Sequence, residues 1–474
     1  MKLNHSRNFI NSFVIVIFIV TAWLCSCNSN KSGQRIPQLV EKDTNAKVSF
    51  DKSNYNIYIE NSGSMDGYVA TESDFKNSVY GLITDLKAKD VADKLNLFYI
   101  NDSICTFRPN ALPDDIVYFI RNLNPTTFRN NGCGRKSSYI PDIIKRIIMG
   151  NDTNISILFS DYIFSSREGS STSYLTQQKY SVQLAIANEL KKHDFSTIIF
   201  KFNSQFNGKY YIESNKPTWL DLTGRNARRP YYAMVFGRRD KLNGFLSKIK
   251  PSEYNGFENS YYLLTPASIK PNAKIIRDNR IGDFEIDQPA TQLIINNVRG
   301  KGVNESSKVF QFSIAVNLEF LKIDDSYLLN PGSYEVSNNY SIVSIYRNKD
   351  ETNESLRGYT HVFTLKTVDV KQVQDVTIKL KSELPDWVGN SSNVDDSDPL
   401  DSLQETQTFG FKYLIEGISK GYSDQYEGKE QFAISIKVSK DNYGEHGRHS
   451  SFPWWIILIF IGVVGLIIWL KNKK

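Results

Sequence analysis

The chain has 474 residues, 13% of them aromatic and 23% charged, with no low-complexity tract; this balance excludes large-scale disorder and, at this length, asks for two or three domains. Its formal charge of +6 sits at the ends: with Lys2, Arg7, Lys471, Lys473 and Lys474 set aside, 52 basic residues face 51 acidic ones. A middle so nearly neutral carries no electrostatic footprint for nucleic acid, and none is expected as a partner.

Lys2 and Arg7 lead into an apolar stretch, 13–24, closed by Leu24-Cys25-Ser26-Cys27, so residues 1–27 are expected to be an export signal. Leu24 and Ser26 stand three and one residues before Cys27, which resembles the lipobox of bacterial lipoproteins, and the resemblance implies acylation of Cys27. An uncleaved signal anchor and cleavage without lipid are the alternatives. Residues 28–50 are polar and read as a spacer.

Over 51–250, strand and helix patterns alternate. A strand at 55–60 is followed by a helix at 73–89, with Ser73 as N-cap and Phe75, Val79, Leu82, Ile83 and Leu86 at helical spacing. Strands at 95–100 and 103–107 turn at Asn101-Asp102, and Pro113 opens a short helix to 123. After an Asn- and Gly-rich loop come a helix at 139–149, a strand at 155–159 buried on both faces, a helix at 175–192 and a strand at 197–202. A Tyr-rich insertion, 203–230, precedes a strand at 231–236 and a helix at 241–249. Strands separated by helices predict an α/β fold, a parallel sheet covered on both faces.

A connector, 251–284, leads to a period-two region, 285–440, with runs such as "VFQFSIAVNLEFL" and "THVFTLKTVDV", which predicts an all-β sandwich of immunoglobulin-like spacing with one helix-like insertion at 408–421. After a linker, 441–452, the segment 453–470 reads as a transmembrane helix: its uncharged part would run about 25 Å, within tolerance of a ~30 Å hydrocarbon core. Trp454, Trp455 and Trp469 suit the two interfaces, and the lysines of the 471–474 tail belong on the cytoplasmic side. The expected place is therefore the bacterial inner membrane, single-pass, with the bulk of the chain outside the cytoplasm. In that oxidising setting Cys105 and Cys133 are free to form a disulfide, which sequence alone leaves open.

The C-terminal edge of a parallel sheet is where α/β folds bind ligands. Three loops gather there: Glu60-Asn61-Ser62-Gly63-Ser64 after the first strand, the Gly-rich loop ending in Ser137-Ser138 at the head of the 139–149 helix, and Ser160-Asp161 after the buried strand. Together they resemble the von Willebrand factor A-type (vWA) domain and its metal-ion-dependent adhesion site, over roughly residues 51–250. The family's first loop, often Asp-x-Ser-Gly-Ser-Met, is matched by Glu60-Asn61-Ser62-Gly63-Ser64-Met65. Its threonine-bearing second loop aligns on Ser138, and its Thr-Asp-Gly third loop stands as Ser160-Asp161-Tyr162.

The resemblance implies a doubly wound, mainly parallel sheet and a divalent-cation site. Ser62 and Ser64 would ligate directly and Ser138 directly or through water, with Glu60 and Asp161 ligating or holding waters. Mg²⁺ is the expected ion, with Mn²⁺ or Ca²⁺ as alternatives, and its open position would take a carboxylate from a protein partner. The departure is Glu60 for aspartate: one more methylene carries the carboxylate further in, toward direct ligation or toward crowding the ion out.

Other polar clusters read as solvated: Asp66 in a turn, Arg135 and Lys136 in a loop, Arg228, Arg229, Arg238 and Arg239 at strand ends, and the acidic loop "NVDDSDPLDS". No G-x-S-x-G, H-E-x-x-H or Walker A motif is present, so a binding protein rather than an enzyme is expected. The alternatives are a structural subunit of an inner-membrane assembly with a vestigial metal site and, less favoured, a metal-dependent hydrolase.

Overall fold

The computed structural model describes residues 52–440 apart from 131–137, 150–152, 166–170, 215–218, 267–270, 288–291, 300–308, 322, 324, 350–351, 382–383, 399–403 and 427–431. The export signal with Cys27, the spacer, the expected membrane span and its tail, and Cys133 lie outside the described residues. Among the described residues no helix is long and apolar enough to cross a membrane.

The first part of the chain supplies β1 (Ser53–Glu60), β2 (Ala92–Ile100), β3 (Ile104–Arg108), β4 (Ile155–Ser160), β5 (Ser196–Phe206), a small hairpin of β6 (Lys209–Tyr211) and β7 (Trp219–Asp221), then β8 (Ala227–Gly237) and β9 (Phe257–Leu263). All but the hairpin join one sheet in the order β3-β2-β1-β4-β8-β5-β9. At its centre β1 runs parallel to both β2 and β4. The sequence reading extends parallel pairing to the 231–236 strand, but β8 is antiparallel to β4 and β5. The connection explains the difference. The described residues of the 203–230 stretch hold no helix, so β5 returns through the β6-β7 hairpin, and strands joined without a crossover run antiparallel. Within the 251–284 connector, β9 adds an edge strand antiparallel to β5.

Helices α1 (Asp66–Val69), α2 (Asp74–Ala88), α3 (Pro113–Arg121), α4 (Pro125–Asn130), α5 (Ile140–Met149), α6 (Thr172–Leu190) and α7 (Arg239–Lys248) surround this sheet. α2 forms where its spacing predicts. The Ser73 hydroxyl accepts from the Lys76 amide at 3.2 Å, and the apolar stripe from Phe75 to Leu86 is buried. Coverage on both faces follows from one pair of neighbours on β8, whose side chains must point oppositely. Tyr231 meets Phe75 of α2 at a ring separation of 5.0 Å, while Tyr232 stacks on Phe411 at 3.9 Å.

Phe411 belongs to the far end of the chain. There β10 (Ala273–Ile281), β11 (Asp283–Asp287), β12 (Leu293–Arg299), β13 (Phe310–Val316), β14 (Tyr334–Val336), β15 (Ser341–Arg347), β16 (His361–Thr367), β17 (Val373–Leu380), the short β18 (Ser392–Asn393) and β19 (Thr408–Phe409), and β20 (Ala433–Lys440) alternate with α8 (Asp325–Leu328), α9 (Asp386–Asn390) and α10 (Phe411–Gln425). Two sheets result, β10-β13-β16-β15 and β11-β12-β20-β17-β14. Rings from the two sheets meet, Phe284 with Phe310 at 5.6 Å and Tyr334 with Phe363 at 5.1 Å.

Between β17 and β20 the chain leaves these sheets, and α10 lies along α6 beside the central sheet. Lys179 pairs with Glu416 at 2.7 Å, and the Tyr422 and Thr197 hydroxyls are 3.0 Å apart. Close approach needs Gly417, where an added Cβ would stand 2.6 Å from the Lys179 carbonyl oxygen. Gly417→Ala is therefore expected to force the helices apart at a cost of ~1–3 kcal/mol, read as a lower denaturation midpoint in urea.

Candidate functional site

The site begins with strand register. Tyr58 pairs with Leu158 and Ile59 with Phe159, so the next residues, Glu60 and Ser160, end neighbouring parallel strands side by side. Ser160 is also the partner of Tyr232, which puts both on the sheet face that α10 covers. Ser160 Oγ donates to Glu60 Oε2 at 2.5 Å and accepts from the Tyr162 amide at 2.7 Å. In sequence Ser160 reads as part of the loop and not as a site residue; its place in register with Glu60 brings it into the site.

Around this pair residues of the three predicted loops come together, the second loop through Ser138. The Ser62 and Ser64 hydroxyls are 2.9 Å apart, and Asp161 Oδ1 accepts from the Ile163 amide at 3.1 Å. Ser62 and Ser138 lie within electrostatic reach of the Glu60 carboxylate, and Ser64 within reach of Asp161. Ser138 Oγ is buried without satisfying hydrogen-bond geometry to any atom. Glu60, Ser62, Ser138 and Asp161 are at most 4% exposed, and Ser64 is half-buried. Asn61 points away from the cluster: its amide group accepts from Asn101 Nδ2 at 3.0 Å and donates to the Phe128 carbonyl at 3.3 Å, which pins the loop from behind.

Tyr162 stands where the vWA pattern has glycine, and it takes the backbone such a glycine favours, with φ of 55°. Its fully buried ring and the bond from its hydroxyl to the Leu158 carbonyl, 2.9 Å, hold it there.

Two carboxylates this close and this dry disfavour double ionisation. Burial first, and then the Asp161 charge, push the Glu60 pKa from its ordinary 4.5 up to about 7. Asp161 is also raised, by burial, against the pull of Ser64, the Ile163 amide and Arg229. Arg229 was expected at a solvated strand end, yet it is 2% exposed. Its guanidinium lies 4.1 Å from the Tyr210 ring centre and donates to the Gln407 carbonyl at 3.0 Å. The adjacent Arg228 faces outward and pairs with Asp74 at 2.8 Å.

The acidic loop differs from its hydrated reading in the same way. Asp396 is buried, accepting from the Tyr210 hydroxyl at 2.9 Å and from the Glu213 and Ser214 amides at 3.0 and 2.9 Å. Hydrogen bonds of that number substitute for water around a carboxylate. They also tie the acidic loop to the β6-β7 hairpin, whose Tyr211 ring packs on Gly63, 3.1 Å from where a Cβ would stand. Asp66, read as a turn residue, opens α1 and is half-buried.

Hydroxyl and carboxylate oxygens of this kind fit a hard divalent cation. Among the described residues no group of three or more His, Cys, Asp or Glu side chains is assembled for a metal, so the serines would have to complete the set. Cys105, on β3, is disulfide-bonded. Compared with protein-family models, with curated proteins and with solved structures, the chain matches none.

Proposed function

We propose that this is a membrane-anchored, extracytoplasmic vWA-type protein of the bacterial inner membrane that captures a carboxylate of a protein partner through a divalent cation, Mg²⁺ foremost, at Glu60, Ser62, Ser64, Ser138 and Asp161. One observation carries the reading: loops after β1, before α5 and after β4 bring two carboxylates and three hydroxyls to one end of parallel strands. A bound cation would supply the positive centre that neutralises Glu60 and Asp161 and attracts the partner's carboxylate. The chain's own residues fix the geometry. Ser160 holds Glu60, the Ile163 amide holds Asp161, and Asn61 anchors the serine loop. The two further sheets are read as an immunoglobulin-like sandwich that spaces the site from the 453–470 anchor. The disulfide at Cys105 supports an oxidising compartment.

A pull-down from solubilised membranes tests the proposal. Partners should elute with excess EDTA and be absent from the Ser62→Ala/Ser64→Ala variant. A second reading, a structural subunit with a retained but unused site, is favoured by Arg229, a buried counter-charge that already acts on Asp161. If the same partners stay bound in EDTA and to the double variant, the adhesion reading is abandoned for this one.

A further inference from the structure

Beside the serine loop the chain carries an insertion that strand pairing does not require. Phe206 of β5 is in register with Ala227 of β8, where a tight turn would join the two strands, yet the β6-β7 hairpin intervenes.

The inner face of this hairpin is fixed. The Tyr210 ring is buried against Arg229, and its hydroxyl is held by Asp396. The backbone is clamped as well: the Asn207 amide donates to the Gly67 carbonyl at 2.8 Å, and a Cβ on Gly208 would stand 2.8 Å from Gly67 Cα. Gly67 lies in α1, which follows the serine loop directly, so hairpin and loop hold each other in place.

The outer face is aromatic. Tyr211 pairs with Trp219 and Lys209 with Asp221, and residues opposite one another on antiparallel strands share a face. Tyr211 is 37% and Trp219 50% exposed. A single exposed ring needs no explanation, but two in register, held rigid beside a candidate binding loop, are of the types that dominate contact energies in interfaces. The face is continuous with that loop, because the Tyr211 ring packs on Gly63, between Ser62 and Ser64. Its polar groups are engaged: Lys209 Nζ lies 3.7 Å from the Trp219 ring centre, and Asp221 Oδ1 accepts from the Thr223 amide at 3.0 Å. A platform for sugars needs free donors and acceptors around its rings, so this one suits an apolar ring better.

We infer that the outward face of the β6-β7 hairpin, Tyr211 with Trp219, receives an aromatic side chain next in sequence to the carboxylate that the partner gives to the cation site. The inference rests on the cation-site reading and narrows the partner to an acidic residue flanked by an aromatic one. Trp219 stands one strand spacing, ~4.8 Å, beyond Tyr211, a reach that an aromatic side chain on the adjacent residue covers. Because the hairpin is already fixed, ordering it costs the complex little.

Saturation-transfer difference NMR on the solubilised full-length protein in Mg²⁺ tests it with acetylated, amidated peptides: Gly-Trp-Asp-Trp-Gly as probe, Gly-Gly-Asp-Gly-Gly without the rings and Gly-Trp-Asn-Trp-Gly without the carboxylate. The probe should bind at least about tenfold more tightly than either control. Trp219→Ala should abolish its advantage over the glycine peptide and Trp219→Phe should restore most of it, each variant melting in EDTA as the wild type does.

The two readings fail separately. If Mg²⁺ raises the melting temperature through Ser62 and Ser64 but the probe and the glycine peptide bind equally, or neither binds, the aromatic contact is overturned and the cation site stands. Trp219-dependent binding that ignores both EDTA and the change of Asp to Asn overturns the joint contact and cation capture together. Methyl β-glucuronide bound as tightly as the probe would make the face a sugar platform, and a Trp219-dependent dimer in sedimentation would make it a contact between copies; either result overturns the inference.

Discussion

Mg²⁺ added to the solubilised full-length protein is expected to raise its melting temperature. Binding to the native state alone stabilises by ~2.7 kcal/mol at a hundred times the dissociation constant, a shift of several degrees for a folded domain. Ser62→Ala/Ser64→Ala should remove the shift while melting in EDTA within about 1 kcal/mol of the wild type, because the two hydroxyls lie 2.9 Å apart and removing both leaves neither without the other. An unchanged shift in the double variant would place the ion elsewhere. Glu60→Asp then reports what the added methylene does: tighter Mg²⁺ binding means that it crowds the ion, weaker binding that it reaches it. Differential scanning calorimetry with and without EDTA reads all three proteins.

The second large effect is a fall in stability with rising pH when divalent cations are absent. Glu60 titrates at about 7 in the folded protein and near 4.5 when unperturbed, so between those values the folded state keeps a proton that the unfolded chain has released. Its contribution is fully present below the lower value and is lost as pH rises through the upper one, amounting to ~3 kcal/mol at most. Asp161, also raised, acts in the same direction. Melting curves in EDTA from about pH 5 to about pH 8 should decline. Glu60→Gln, which cannot ionise, should flatten most of that slope; a slope that survives it intact assigns the titration to other groups.

What could be read from the sequence was what local pattern determines. The α2 stripe and its Ser73 cap, the buried β4 and the three converging loops all follow from periodicity and from the place where a strand ends. The direction of β8 was not legible, because it depends on whether a helix lies in the 203–230 connection, and Tyr and Gly content does not exclude one. Arg229 and Asp396 look solvated in sequence because their partners are remote. Asp396 meets Tyr210 across 186 positions, and nothing near either residue announces the other. The φ of Tyr162 does not follow from residue type, because it is held by the packed ring and not by an intrinsic preference.

The placement of α10 against α6 also governs how the protein is made. Lys179 and Glu416 are 237 positions apart, and the sheet they help to cover begins with Ser53, near the start of the described chain. During synthesis the central strands emerge long before the helix that closes over Tyr232, and closing so long a loop delays native packing. A half-finished chain therefore presents an aromatic surface that invites aggregation until Phe411 arrives.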